Sequence, residues 1–298
     1  RLVTVDLDHE TSDVDLRPLG GKLSRLSGRL TGCAGAATVT LSSDTGRRQT
    51  KAGCGGFYSF TALPPADYEL LAELPDGPVP LAAFQELFLD RDREGVNLNL
   101  FPLPEVAFEF QGGEKTPLLA RRKDLAGEGE TSRITADRVR LLPGHWDVTT
   151  LPPSDHYLQA ITCQFLRQRP SRAGLSPDWF QIPVTGFSRV LVRVVFASRP
   201  AGLSGRVLAA GEPVVGAPVW LFPVDPNLRR QVRGLQTLRT DTRGGFRFEG
   251  LAPGRYLALA SFDSIEMTED ALLSARAADL RLDHGQTIAR DLDLYRLP

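Results

Sequence analysis

Leu203-Ser204-Gly205-Arg206-Val207, then Gly244-Gly245-Phe246-Arg247-Phe248, then Leu251-Ala252-Pro253-Gly254-Arg255-Tyr256-Leu257 form one sequence unit, and its reading decides the fold. Each part has a physical job. Paired glycines permit positive φ at a hairpin tip, and the aromatic residues after them alternate toward a core. Pro-Gly makes a tight turn that delivers the chain into the next strand. The aromatic residue that follows packs at the strand start, where a hydroxyl can tie back to backbone like a tyrosine corner.

Working outward, the same grammar recurs upstream. Leu26-Ser27-Gly28-Arg29-Leu30 matches the opening, Gly55-Gly56-Phe57-Tyr58-Ser59-Phe60 the hairpin, and Leu63-Pro64-Pro65-Ala66-Asp67-Tyr68 the turn. A degenerate copy keeps only Leu142-Pro143-Gly144-His145-Trp146-Asp147-Val148. Such self-similarity marks tandem copies of one small unit. A second motif closes each unit: Leu89-Asp90 leads to Val96-Asn97-Leu98, and Leu282-Asp283-His284 leads to Leu292-Asp293-Leu294, each read as a terminal hairpin. The copy Leu7-Asp8-His9 with Val14-Asp15-Leu16 has no opening strands before it and reads as the tail of a repeat whose body is absent.

Short apolar runs broken by Gly, Pro and Asp about every ten residues specify an all-β chain of tandem Ig-like or transthyretin-like β-sandwiches. One short helix is expected in the last domain, Glu266 to Ala278, with Thr268 as its N-cap and Glu269 and Asp270 in its first turn. The expected division is a terminal hairpin at 1–22, a sandwich at 23–104, a divergent sandwich at 105–199 and a third at 200–298. The connections are short, which favours a stiff rod over beads on a string. Expected core residues include Val39, Leu41, Phe57, Phe60, Tyr68, Val192, Val194, Val207, Val219, Leu221, Phe246, Phe248 and Tyr256.

Composition removes several function classes. The 35 basic and 36 acidic side chains nearly cancel, so no basic field exists for gripping nucleic acid. No stretch reaches the ~20 apolar residues needed for a helix to span a bilayer.

The pattern Ser204-Gly205-Arg206-Val207, Gly211-Glu212-Pro213-Val214-Val215-Gly216-Ala217-Pro218-Val219-Trp220-Leu221, and Thr240-Asp241 running into Gly244 to Ala260 resembles the carboxypeptidase regulatory-like domain, a transthyretin-like sandwich. The resemblance extends from Leu203 to about Phe262 and from Leu26 to Ala72; between Val106 and Phe196 it holds only at the Pro-Gly turn. The whole arrangement is similar to large secreted repeat proteins of soil bacteria. The resemblance implies an extracellular sandwich without chemistry of its own. In carboxypeptidases this domain accompanies a separate zinc-peptidase domain, which the chain lacks.

The residues agree with that implication. His9, His145, His156 and His284 form no HxxE, HExxH or HxH pattern, so no metal site and no cofactor is expected from them. His9 and His284 each follow an Asp, which reads as a polar turn or as a metal- or pH-sensing pair. Neither a GxSxG elbow nor a phosphate-cradling glycine loop is present, so no catalytic residue is assigned. Carboxylates gather at Asp6, Asp8, Asp13 and Asp15, at Asp90, Asp92 and Glu94, and at Asp279, Asp283, Asp291 and Asp293. Oxygen ligands of this kind suit calcium between stacked domains, but no D-x-D-x-D-G loop occurs, and alternate acids on a strand commonly form a solvated face. Cys33 and Cys54 fall at places that can meet within a sandwich, as a disulfide suited to an oxidising compartment or as two buried free thiols; Cys163 is left over as a small buried apolar residue.

Three functions follow. In the first the chain is a non-catalytic structural protein, extracellular or on the cell surface, and self-association or neighbouring subunits are its partners. It could then build a fibre by strand exchange through Val3, Val5, Leu7, Val14 and Leu16. In the second it is a secreted binding module for polysaccharide or protein. Trp146 and Trp220 read as core, whereas Trp179, in the Pro-flanked stretch Ser176-Pro177-Asp178-Trp179-Phe180, is the candidate ligand contact. The third, an enzyme, finds no support in the residues.

Overall fold

The computed structural model describes residues 21–165, 179–184, 189–229 and 234–296. Among the described residues, alternating apolar positions on short strands build three main hydrophobic cores in chain order, and a smaller fourth cluster gathers Phe222, Leu257, Leu259, Leu272 and Ala275. The first is centred on Leu26, Leu30, Val39 and Leu70, the second on Val106, Val148, Val192 and Val194, the third on Leu203, Val207, Val219 and Leu221. Each such side chain, taken fully out of water, contributes about 1.5–3 kcal/mol to its own core.

In the first unit, Ser24–Thr31 lies between Phe57–Leu63 and the short strand Leu98–Asn99. Facing it is a five-stranded sheet ordered Gly46–Gly53, Ala36–Ser43, Ala66–Leu74, Leu81–Leu89 and Phe101–Pro102. The second unit has two four-stranded sheets. One is ordered Gly127–Ile134, Leu118–Asp124, Gly144–Thr150, Phe180–Val184, and the other Arg138–Arg140, Glu105–Gln111, Val190–Ser198, His156–Phe165. The third unit repeats the first: Ala201–Ala209 pairs with Gly245–Leu251, while Pro218–Pro223 pairs with Gln236–Arg239 and Gly254–Ser261. A closing strand, Leu292–Tyr295, pairs with both Ala201–Ala209 and Gly254–Ser261 and links them.

The corner is found in all three units with one hydrogen-bond geometry, as Pro-Gly in the second and third and as Pro65-Ala66 in the first. Tyr68 donates its hydroxyl proton to the carbonyl of Pro64 (2.8 Å), and Tyr256 to that of Ala252 (2.7 Å). Trp146, in the degenerate copy, replaces the hydroxyl with its indole N–H and donates to Leu142 (2.9 Å). Each bond returns to the residue four positions upstream, so the ring locks the entry to its strand whatever polar atom it carries.

The closing motif does not form the expected hairpin. Leu89 ends a strand paired antiparallel to Ala66–Leu74, whereas Leu98 lies parallel to the opening strand, opposite Leu30. The third unit does the same, with Leu282 opposite Gly254 and Leu292 parallel to Val207. Alternation identifies a strand but not its partner, and here the chain crosses to the other sheet. That crossing explains the Ser-Gly-Arg motif: a Cβ on Gly28 would overlap the carbonyl oxygen of Val96, and one on Gly205 that of Arg290. Only glycine lets the closing segment lie that close.

Two further expectations shift. Phe57 is 69% exposed, stacked under the Arg29 guanidinium. Tyr58 points inward in its place, beside the expected Phe60, because Tyr58 sits opposite Gly28 as Phe246 sits opposite Gly205. One extra residue after the paired glycines has moved the register. The helix begins after Thr268, whose side chain accepts from the Ala271 N–H, but it spans only Glu269–Ser274, and Ala278 already belongs to a strand. A four-residue helical turn, Pro226–Arg229, is additional.

Candidate functional site

The densest concentration of buried charge lies where the first unit meets the second. On the first unit, Ser42, Glu69 and Glu86 form a row across three neighbouring strands. From the second unit come Arg122 and Asp124, on Leu118–Asp124, and His145 and Asp147, on Gly144–Thr150. Every residue of Gly144–Thr150 is buried, so its polar alternates His145, Asp147 and Thr149 face protein and not water.

Asp124 is the hub. Arg47 of the first unit donates to it twice, Nε to Oδ2 at 2.7 Å and Nη2 to Oδ1 at 2.8 Å. Ser42 Oγ donates to Oδ2 at 2.9 Å, and the Ala126 N–H to Oδ1 at 3.0 Å. Burial works against its ionisation, but the bonds from Arg47 and Ser42 and the charges of Arg47 and Arg122 outweigh it and hold the carboxyl below its ordinary value. A two-pronged Arg–carboxylate pair fixes orientation as well as distance, so the contact sets the angle between neighbouring sandwiches.

Around this hub the charges are less completely matched. Burial presses the Arg122 guanidinium below its usual value, opposed by Glu69, Asp124 and Glu73. Burial pushes Glu69 up to about 7, with Arg122 opposing. Its Oε2 has no hydrogen-bond partner. His145 Nε2 lies 2.8 Å from Glu86 Oε1, and the Phe84 ring meets the imidazole edge-on at 6.2 Å between centroids. Burial also raises Asp147, against the charges of Lys123 and Arg121.

The chain matches no family model and no curated protein. Among solved structures it is similar to the streptococcal ancillary pilin at 10% identity, with 91% of this chain aligned to 99% of that one and a TM-score of 0.27. The major pilin subunit of Bacillus cereus gives 9% identity, the same coverages and the same score. The Bacillus anthracis TIE protein gives 11% identity over 91% of this chain with a TM-score of 0.24, and this chain spans half of its length. At such scores the all-β sandwich assignment rests on the strand pairing described above, not on these likenesses.

Of the residues singled out in the sequence, His145 lies at this junction and the others lie elsewhere. Cys33 and Cys54 form a disulfide pair with Cα atoms 5.5 Å apart, inside the first unit. Cys163 is partly buried in the second core, and burial pushes its thiol up to about 12. Trp179 is partly buried, with the Arg121 guanidinium 4.5 Å from its ring centre and Arg121 itself paired with Glu128 and Asp147. One face of that ring is thus already occupied. Trp146 is core, whereas Trp220 is partly exposed. His156 pairs with the adjacent Asp155, and His284 meets Tyr157 of the second unit. Asp92 accepts from the Arg25 N–H, and Asp291 accepts from the Arg206 N–H in the place where Asn97 accepts from Arg29 in the first repeat. Asp279 is bound by Arg255. Val3, Val5, Leu7, Val14 and Leu16, with His9 and the first acidic group, lie outside the described residues.

The junction residues escaped the sequence reading. Ser42, Glu69, Glu86, Asp124 and His145 each look like the outward polar member of an ordinary alternating strand, and nothing local says that another domain covers them. The only hint was His145 beside the corner residue Trp146.

Proposed function

We propose that the chain is a non-catalytic structural protein of the cell surface or extracellular space, a stiff stack of β-sandwiches that joins further subunits. The observation that supports this reading is the Arg47–Asp124–Ser42 interlock, in which a buried carboxylate holds two sandwiches in one relative orientation. A stack that bears load or sets spacing needs that property. Among the described residues no helix is long and apolar enough to cross a membrane. The carboxypeptidase regulatory-like resemblance and the division at residues near 22, 104 and 200 are part of the same proposal, as is assembly by strand exchange through Val3, Val5, Leu7, Val14 and Leu16.

Small-angle scattering of the purified chain tests the stiffness. One narrow distribution of dimensions is expected, broadened in Asp124→Ala; a wild type as broad as that variant would refute the reading. Electron microscopy of the native material tests assembly. Filaments lost on replacing Val5 and Val14 with lysine support strand exchange, and filaments unaffected by the change contradict it. The Cys33–Cys54 bond suits an oxidising compartment. Titrating thiols in denaturant should find Cys163 alone, and three reactive thiols would argue against export.

A further inference from the structure

We propose that Glu69, Glu86 and His145 form a divalent transition-metal site, of the zinc class, that pins the second sandwich to the first. Their ligand atoms all lie within 4.8 Å of one another, so small side-chain rotations bring them around one ion. The residues come from different units, two carboxylates from adjacent strands of the first sheet and an imidazole from the second. Carboxylate clusters alone are commonplace, but this one has a feature that ordinary surface acids lack. Glu69 is only 5% exposed, and its Oε2 has no hydrogen-bond partner. A buried carboxylate oxygen left without a donor is costly unless something positive occupies its lone pairs.

The donor set selects the cation class. One imidazole nitrogen with two carboxylate oxygens suits zinc and its neighbours, whereas calcium and magnesium favour oxygen throughout. His145 is buried and its ring plane is held by Phe84, so its Nε2 is already aimed at Glu86. The Glu86 side chain is half exposed, which leaves a route from solvent and room for water as a fourth ligand. The surrounding charge is compatible. Three carboxylates, Glu69, Glu86 and Asp124, face two guanidinium groups, Arg47 and Arg122, and Lys123 is drawn toward Asp147. Binding requires the His145 Nε2 lone pair, so any proton on Nε2 moves to Nδ1 or to solvent when the ion enters. The proposal stands apart from the structural role above, since a stiff stack needs no ion and an ion needs no fibre.

The test is calorimetric titration of the full chain, stripped with chelator, using zinc sulfate alone. One zinc ion per chain is expected, with a raised thermal midpoint, and no saturable heat from calcium or magnesium. Glu86→Gln, at a half-exposed side chain, keeps the fold and should weaken zinc by at least about tenfold, and His145→Asn by more. Glu69→Gln should remove binding, and if that variant fails to fold the other two carry the decision. Absence of saturable zinc binding by the wild type overturns the proposal. So does binding whose affinity is unchanged in both Glu86→Gln and His145→Asn, because the ion would then sit elsewhere.

Discussion

The two junctions between consecutive units are built on different physics. Between the first and second, the buried Glu69, Asp124 and His145 meet the largely buried Arg122 and the partly solvated Arg47 and Glu86, with Asp124 receiving four hydrogen bonds. Between the second and third, the contacts include an exposed His284 whose Nδ1 lies 3.3 Å from the hydroxyl of the buried Tyr157, and a backbone bond from the Gly285 N–H to the Arg199 carbonyl at 2.8 Å. Linker length does not distinguish the two: Arg199 and Pro200 separate strand Val190–Ser198 from strand Ala201–Ala209, and Leu103 and Pro104 separate Phe101–Pro102 from Glu105–Gln111. Buried charge gives directionality at the cost of desolvation, so breaking one partner hurts. The short linker at each junction restricts orientation without any such cost.

The comparison can be broken most severely at the hub. Asp124→Ala leaves Arg47 without its two-pronged acceptor and Arg122 without an ion-pair partner 3.7 Å away. Because Arg47 is partly solvated, the expected loss is about 3 kcal/mol, toward the low end for a broken buried pair, read by urea unfolding of the full chain. Acid should act on the same group. A carboxyl held below its ordinary value stabilises the fold above that value, and the contribution is lost as pH falls through the folded one. Glu69, titrating at about 7, is already neutral by then and does not contribute to that change. The difference in melting temperature between wild type and Asp124→Asn should therefore shrink steadily below about pH 4. A difference that persists to pH 2 would mean that Asp124 is not the acid-sensitive lock.

Smaller effects sharpen the contrast. Trp146→Phe keeps an aromatic ring but removes the donor to Leu142 and shrinks a core side chain, and should cost about 2 kcal/mol by urea unfolding. If zinc affinity falls with it, the corner also positions His145, its neighbour on the strand. His284→Ala, at the exposed second junction, should change stability by less than about 0.5 kcal/mol. A larger loss there would erase the distinction between the two junctions.

Much of the architecture was legible because the signals are local. Gly-Gly before Phe246, Pro-Gly before Tyr256 and the alternation through Val219 and Leu221 each specify a backbone geometry that no distant residue needs to license. The corner bonds of Tyr68, Trp146 and Tyr256 follow from that geometry. Phe57 escaped because one inserted residue turns every following side chain to the other face, and only the pairing with Gly28 reveals the shift.

Sequence alone therefore determined the strand content, the repeat and the corners, since these depend on residues within a few positions of each other. Tertiary structure alone decided that the closing segments run parallel to the opening strands, and that Ser42, Arg47, Glu69, Glu86, Arg122, Asp124 and His145 meet. Those contacts join residues tens of positions apart on separate sheets. The free energy of a polar side chain there depends on what covers it, and neither its own identity nor that of its neighbours in the chain records this.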